Sequence, residues 1–501
     1  MSDSHVGRRR HLLPVSVFAV ISLVYLAAAF ALASRRAPWN DEGWFADPAY
    51  TLLTKGYMGS PIIHPRGTWV SRELTGVQTH TYWIMPGSPV LQSIWYRVFG
   101  FGLLQMRAVS IFAGLIVIWA WASVIWHLTG NRVAAWLTAA LLALDVTFLF
   151  GASDGRMDMT TVAFGSLGLA VFVAFRQKNL TASLMAANAF VAAGILCHPN
   201  GAIYGLMLLL FLVFCDFRAL RRHHLVCLIP YFLFAGAWGI YILQSPGNFV
   251  AQFTANASTP FGDRTAGLHH PLHMLAYEIS GRYVEHFGGS SVWAQLPPFT
   301  KAIPLIFLLS TAWLALDAAR TRNRANAFIT VCLAVVFVFM GVFVTLKGAY
   351  YLNAIVPLYA AAVALAAFPE AGRFNRVPLA LLTFLVLIQG LSIYEALRRD
   401  GYHTGYLPAV AYLKSHASPQ TSINGSPALL FGLPGYDLIS DSRLHDPAEY
   451  IVVDRWTLYD WGFVYRTFEP QTAAAVQKKL ACYDDVFDRD GWRILHRRKQ
   501  L

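Results

Sequence analysis

The sequence is short of charge. Only 13% of its 501 residues are Asp, Glu, Lys or Arg, about half the share found in an ordinary soluble domain. A surface wetted all round is thereby excluded. Cysteine is scarce as well: five residues, no CxxC pair, and four of them (Cys197, Cys215, Cys227 and Cys332) in or beside apolar runs. That excludes a disulfide framework and a cysteine metal site. No internal repeat or low-complexity stretch is visible. Acids are outnumbered by bases, 27 against 39, for a net charge of +12. The bases fall in short loops between apolar runs, which is the pattern of membrane orientation and not of nucleic-acid binding.

Apolar length is what the chain has in abundance: 56% of its residues are hydrophobic. Runs of about 17–25 residues, enough to cross a hydrocarbon core, recur at roughly eleven places. They are 12–33, 104–128, 132–150, 157–175, 181–197, 200–216, 223–243, 301–318, 325–346, 350–368 and 378–397. Residues 86–100 form a twelfth, interrupted by Pro86, Gly87 and Pro89 and carrying Arg97. They read as an interfacial or re-entrant helix. The first run follows Arg8, Arg9 and Arg10 and ends at Ala31-Leu32-Ala33, as a signal peptide would. It exceeds the usual signal core of about 7–15 residues, so a retained first span is expected.

Arginine and lysine set the orientation. Arg8–Arg10, Arg132, Arg176, Lys178, Arg218, Arg221, Arg222, Arg320, Arg322, Arg324, Arg373 and Arg376 assign one set of loops to the cytoplasm. Arg35, Arg36, Arg398 and Arg399 vote the other way and are outnumbered. An odd number of spans then puts three longer polar regions outside: 35–103, 244–300 and the tail 398–501. The tail, about a hundred residues, is large enough for a small domain. In it "EYIVVDRW" reads as a buried strand, "DDVFDRDGWRILHR" as a hairpin turning at Arg489-Asp490-Gly491, and "HTGYLPAVAYLKSHA" as a helix. The expected fold is an α-helical polytopic membrane protein of about 11–12 transmembrane helices over residues 1–397. A small α/β extra-membrane domain follows over 398–501.

Five stretches could carry chemistry. "WNDEGWFADPAY" puts Asp41 and Glu42 directly after the first run. Asn40 can cap a helix there, with the two acids complementing its dipole. A carboxylate fixed at a low-dielectric membrane edge is also more basic, which suits a general base. In "GASDGRMDMTT", Asp154, Arg156 and Asp158 precede or open an otherwise apolar run. Charges there are costly and usually functional, although a local Arg–Asp pair could simply satisfy itself. "LCHPNG" holds His198 in a tight turn, where it is either structural or functional. "TLKGAYYLNAIVPLY" holds Lys347, Tyr350 and Tyr351. They read as a snorkelling lysine with interfacial tyrosines, or as an anion-binding group. "GLHHPLHM" spaces His269, His270 and His273 as a metal could use. No carboxylate or cysteine adjoins them closely, and no metal site is expected. The expected topology puts Asp41, Glu42, Asp154, Arg156, Asp158, His198 and Lys347 on one face. Such a constellation suits a reaction with an anionic, lipid-borne leaving group.

These residues resemble the GT-C class of integral-membrane glycosyltransferases. Within it, the likeness is to bacterial relatives of the protein O-mannosyltransferases and of the lipid A aminoarabinose transferases. It is carried by Asp41-Glu42 after the first span, "GRMDMTT" at 155–161 and "KGAYYLNAIVPLY" at 347–359, and it covers roughly residues 10–400. Relatives often show a proline-and-aromatic stretch before the second span, which Tyr82, Trp83, Pro86 and Pro89 fit loosely.

The resemblance implies inverting transfer of a sugar from a polyprenyl-phosphate donor to an acceptor hydroxyl. The site would lie on the extracytoplasmic (periplasmic) side of a bacterial-type inner membrane. Asp41 would be the catalytic base, with Glu42 as second choice or orienting partner. Arg156 and Lys347 would contact the donor phosphate, as would Arg72 in the first outer loop. Asp158 would hold Arg156 or bind sugar hydroxyls, and Asp154, His198 and Tyr350 would line the substrate site. The acceptor would be a glycolipid, a glycan or a protein. No nucleotide-sugar motif, cofactor or metal is obligatory in this chemistry. The rival readings are a transporter and a non-catalytic glycolipid-binding membrane protein. Transporters place ionisable groups near the midplane and often show repeats; here the ionisable groups cluster at span ends and no repeat is seen.

Overall fold

The computed structural model describes residues 15–63, 74–257, 266–287, 297–370 and 372–498. All eleven long apolar runs are helical. Among the described residues, nine helices are long and apolar enough to cross a membrane, or ten if one bent pair counts as a span. The first is α1 (Val15–Arg35), followed by α2 (Asn40–Lys55), α3 (Gly87–Phe99) and α4 (Leu103–Thr129). α1 buries Ala29 and Leu32 in the core, and its Tyr25 Oη donates to the Ile111 carbonyl of α4 at 2.9 Å. In α3, Val90, Ile94 and Val98 are exposed in one stripe while Gln92, Ser93 and Tyr96 face inward. A helix apolar toward the outside and polar toward the protein suits a place in the membrane interface.

The run 132–150 is not straight. It forms α5 (Arg132–Leu144) and α6 (Val146–Ala152), which meet at 64°. Asp145 ends the first helix and caps the second, accepting from Phe148 N at 2.8 Å. Gln389 completes the break: its amide donates to Asp145 at 2.5 Å and accepts from Val146 N at 2.8 Å. Backbone groups freed inside a bilayer must find partners, and this glutamine supplies them. Next come α7 (Asp158–Phe175), α8 (Leu180–Cys197), α9 (Ala202–Phe211) and α10 (Ile229–Ile242). The long loop carries α11 (Pro246–Ala257), α12 (Ala266–His269) and α13 (Pro271–Tyr277) before α14 (Ala302–Thr321) and α15 (Arg324–Phe343).

The run 350–368 also departs from expectation. Its α-helix, α16 (Val356–Ala367), has 12 residues, all buried. At about 1.5 Å per residue it covers roughly 18 Å, short of a hydrocarbon core of about 30 Å. The 3₁₀ turn Ala349–Ala354 before it supplies the missing length. Tyr350 at one end faces Arg156, while the Phe368 carbonyl at the other accepts from Asn131 at 2.7 Å. Its six alanines let neighbouring helices close in on every side.

The last long helix is α17 (Arg376–Leu397). In the tail, α18 (Leu407–His416) and α19 (Arg455–Tyr459) accompany a five-stranded sheet ordered β2-β1-β3-β5-β4. Its strands are β1 (Ile423–Asn424), β2 (Leu438–Ile439), β3 (Tyr450–Val453), β4 (Tyr483–Arg489) and β5 (Trp492–Arg497). β1 runs parallel to β2 and β3, whereas β5 is antiparallel to β3 and β4. The β4–β5 hairpin turns on Asp490 (φ 45°) and Gly491 (φ 78°), the two positive φ values that a type I′ turn requires.

The tail sits on α2. Gly43 lies so close to the Pro427 backbone that no Cβ would fit between them. Ser440 N donates to the Ile62 carbonyl at 2.9 Å, and the Phe101 and Phe431 rings stack at 5.7 Å. Arg35 at the end of α1 donates to the Leu397 carbonyl at the end of α17, at 2.5 Å. The end of α1, the starts of α4 and α7, the end of α6 and the end of α17 therefore gather at one end of the bundle. Arg176, which pairs with Asp216 at 2.6 Å, and Asn131 lie at the other end.

Candidate active site

The site grows from the first turn of α2. Asn40 opens the helix and the preceding Trp39 occupies the cap position, one residue earlier than expected for the cap. Glu42 reaches back to accept from Trp39 N at 3.2 Å, satisfying a donor that the helix itself leaves open.

Asp41 and Glu42 are neighbours with opposite surroundings. Glu42 is completely buried, and both of its oxygens are occupied. Oε1 accepts from Arg107 Nε at 2.7 Å and Gly155 N at 2.9 Å; Oε2 accepts from Arg107 Nη2 at 2.6 Å. Arg107 also donates to the Ala33 and Arg36 carbonyls at 2.6 and 2.7 Å and to Ala37 at 3.3 Å. A fork-to-fork pair with every remaining donor satisfied is the condition under which a buried ion pair is tolerated. Burial pushes the Glu42 carboxyl up, but the Arg107 charge, its hydrogen bonds and the Gly155 N–H outweigh that and hold it below the ordinary range.

The Asp41 side chain keeps 19% of its surface exposed. It is ion-paired with Arg156, whose Nε also meets Asp158 at 2.7 Å. The Arg156 guanidinium lies 3.7 Å from the centre of the Tyr350 ring, and Phe45 and Trp39 flank it at 5.0 and 5.5 Å. Such contacts favour the cation once water is excluded. Burial raises the Asp41 carboxyl to about 6; Arg156 pulls it down, while Asp158 and Glu42 push it further up. The result is a carboxylate ionised at neutral pH yet more basic than a free one. Asp154 stands on the far side of Trp39, accepting from its indole N–H at 2.8 Å. Burial, and then the Glu42 charge, raise it.

A second cluster adjoins the first. His198 caps the end of α8, accepts from Asn200 N at 3.1 Å, and stands 5.5 Å from the Tyr351 ring. Tyr351 is T-shaped against Tyr350 at 4.5 Å, and Arg282 lies 5.9 Å from its ring. Arg282 pairs with Glu278 at 2.7 Å, and Lys347 meets the other oxygen of Glu278 at 3.0 Å. The ammonium of Lys347 also donates to the Met340, Gly341 and Val344 carbonyls at 3.2, 2.8 and 2.9 Å. Its donors are therefore engaged within the protein.

Asp41, Arg156, Asp158 and Tyr350 thus come into direct contact, and Glu42 and Asp154 frame them. His198 joins through Tyr351, and Lys347 through Glu278 and Arg282. Arg72 lies outside the described residues. His269, His270 and His273 are exposed around α12 and α13. Among the described residues, no group of three or more His, Cys, Asp or Glu could hold a metal ion. Sequence reasoning missed Arg107 and Arg282. A lone arginine within the apolar run of α4, and a Glu278–Arg282 pair spaced i,i+4, were the available signals.

Residues 84–240 match the family described as dolichyl-phosphate-mannose-protein mannosyltransferase. No curated protein sequence matches the chain. The fold is similar to that of ArnT from Cupriavidus metallidurans bound to undecaprenyl phosphate, at 16% identity and a TM-score of 0.60 over 96% of this chain and 97% of that one. The same protein in the apo state gives 17% identity and a TM-score of 0.61 over the same shares. The Archaeoglobus fulgidus oligosaccharyltransferase in complex with Zn and sulfate gives 12% identity and a TM-score of 0.55 over 95% of this chain and 73% of that one. The likeness to the GT-C membrane glycosyltransferases is therefore carried both by the match over residues 84–240 and by the fold of nearly the whole chain.

Proposed function

We propose that the protein transfers a sugar from a polyprenyl-phosphate donor to an acceptor hydroxyl, with inversion, at the extracytoplasmic face of the membrane. The observation that carries this reading is the division of labour between Asp41 and Glu42. One carboxylate is locked into an ion pair, and the adjacent one stays partly exposed and basic beside a clamped arginine.

The acceptor oxygen attacks the anomeric carbon and its proton passes to the Asp41 carboxylate. The bond from that carbon to the phosphate oxygen breaks, and the electron pair leaves with the lipid phosphate. Arg156 and Lys347 supply positive potential toward the departing charge. Glu42 fixes the helix start that carries Asp41, and Asp158 orients Arg156. Asp154, His198 and Tyr350 line the ground on which sugar and acceptor sit, and Arg72 adds a further cation from the first outer loop. The arginine-rich loops lie at the opposite end of the bundle from Asp41, and their charge supports an extracytoplasmic site. We assign residues 398–501 to a small domain on that same side. The acceptor is a glycolipid, a glycan or a protein.

The test is an assay of the purified protein with a panel of polyprenyl-phosphate sugars, following release of free polyprenyl phosphate. Asp41→Asn is expected to remain folded and to lose about 10²–10⁴-fold in turnover. If no donor is consumed with any of the three acceptor classes, the reading falls.

A further inference from the structure

Arg455 is a charged residue of the tail that lies beside the site, against the Trp456 ring. It is exposed and opens α19, whose backbone is fixed because Asp454 accepts from Trp456 N at 3.1 Å and Thr457 N at 2.9 Å. Its guanidinium lies 4.9 Å from the centre of the Trp456 ring. Trp456 in turn packs on Trp39 at 5.6 Å, and Trp39 is the residue that touches both Asp154 and Arg156. Asp154 and Glu42, with Arg36 and Arg107 beside them, lie within electrostatic reach of Arg455. Among the described residues, Arg455 makes no hydrogen bond or ion pair; its one contact of note is with the Trp456 ring.

The other cations of the site are committed. Arg107 is spent on Glu42 and three carbonyls, Arg156 on Asp41 and Asp158, and Lys347 on Glu278 and three carbonyls. Recruiting any of these to a ligand strands a buried carboxylate. Arg455 can turn its whole fork to an incoming anion at no such cost, and a guanidinium fork matches two phosphate oxygens.

We propose that Arg455 is the residue of the tail that captures the phosphate group of the lipid-linked donor, across Trp39 from Asp41. The ligand is a phosphate ester carried on a long isoprenoid chain. Its identity rests on the glycosyl-transfer reading above; the role of Arg455 rests on its place against Trp456, which packs on Trp39 beside Asp154 and Arg156.

The experiment measures binding of undecaprenyl phosphate to the full-length protein in detergent. Neutral undecaprenol and inorganic phosphate serve as separate probes, with wild type, Arg455→Gln and Arg455→Lys compared. Arg455→Gln is expected to weaken undecaprenyl phosphate by about tenfold or more and to leave undecaprenol unchanged. Arg455→Lys is expected to recover part of the loss, and the thermal midpoint should match wild type because the side chain is exposed. Inorganic phosphate is expected to bind far more weakly than the lipid. Equal binding by wild type and Arg455→Gln overturns the inference and leaves the glycosyl-transfer reading standing. Equal loss of undecaprenol, or Arg455-dependent binding of inorganic phosphate as tight as that of the lipid, also overturns it. Failure of wild type to bind undecaprenyl phosphate at all overturns both.

Discussion

Arg107 grips Glu42, 65 positions away in sequence, through two parallel hydrogen bonds, Nε to Oε1 at 2.7 Å and Nη2 to Oε2 at 2.6 Å. Both side chains have no exposed surface. Removing one partner alone leaves an uncompensated charge in a place water cannot reach. Arg107→Met is therefore expected to destabilise the protein by about 3–5 kcal/mol. Adding Glu42→Gln to that variant should recover a large part of the loss, because the stranded charge is gone. Thermal unfolding in detergent checks both; an Arg107→Met midpoint equal to wild type would contradict the assignment of this pair as the anchor of α2.

Asp41, raised to about 6 chiefly by burial, predicts a pH dependence. The ionised form is the base, so kcat/KM should rise about tenfold per pH unit below 6 and level off above it. The positive charge of Arg156 lowers the Asp41 pKa. Arg156→Gln should therefore move the acid limb to higher pH. A limb that stays in place in Arg156→Gln, or an activity flat from pH 5 to 8, counts against Asp41 as the base.

Arg156 bridges two carboxylates and lies over an aromatic ring. Lysine keeps the charge but has neither the fork nor the flat face. Arg156→Lys is expected to lower kcat by roughly ten- to a hundredfold through misplacement of Asp41. Steady-state kinetics against the same donor would show this, and an unaltered kcat would mean that the bridge has no part in positioning.

Sidedness can be read from the native Cys482 and one introduced cysteine. Cys482 is exposed in the tail, whereas Cys197 and Cys332 are buried and Cys215 and Cys227 are half-buried. A membrane-impermeant maleimide applied to intact cells should label Cys482. A cysteine placed at Asn323, between α14 and α15 at the arginine-rich end, should react only after permeabilisation. The reverse pattern would put the site in the cytoplasm and end the lipid-donor proposal.

Much of the fold is legible because hydropathy acts locally: the eleven apolar runs are all helical, and the hairpin at Asp490-Gly491 turns where its residues allow positive φ. What escapes is what depends on distant partners. The bend at Asp145 needs Gln389, which lies 244 residues away. The split between Asp41 and Glu42 depends on Arg107 and Arg156, which approach from α4 and from the loop before α7. No local pattern around the acid pair distinguishes the anchored residue from the accessible one. Lys347 illustrates the same limit, since its engagement with Glu278 joins two loops that the sequence separates by 69 positions.

Contact between Gly43 and the Pro427 backbone has a mechanical consequence. The helix that carries Asp41 is clamped from both sides, by Arg107 on Glu42 and by the tail against Gly43. The tail cannot lift away as an independent lid without dragging the first turn of α2 with it. On the proposed reading, substrates then arrive sideways from the lipid or through gaps in the outer loops, and a bulky residue at position 43 acts at a distance, tilting Asp41 through the start of its helix.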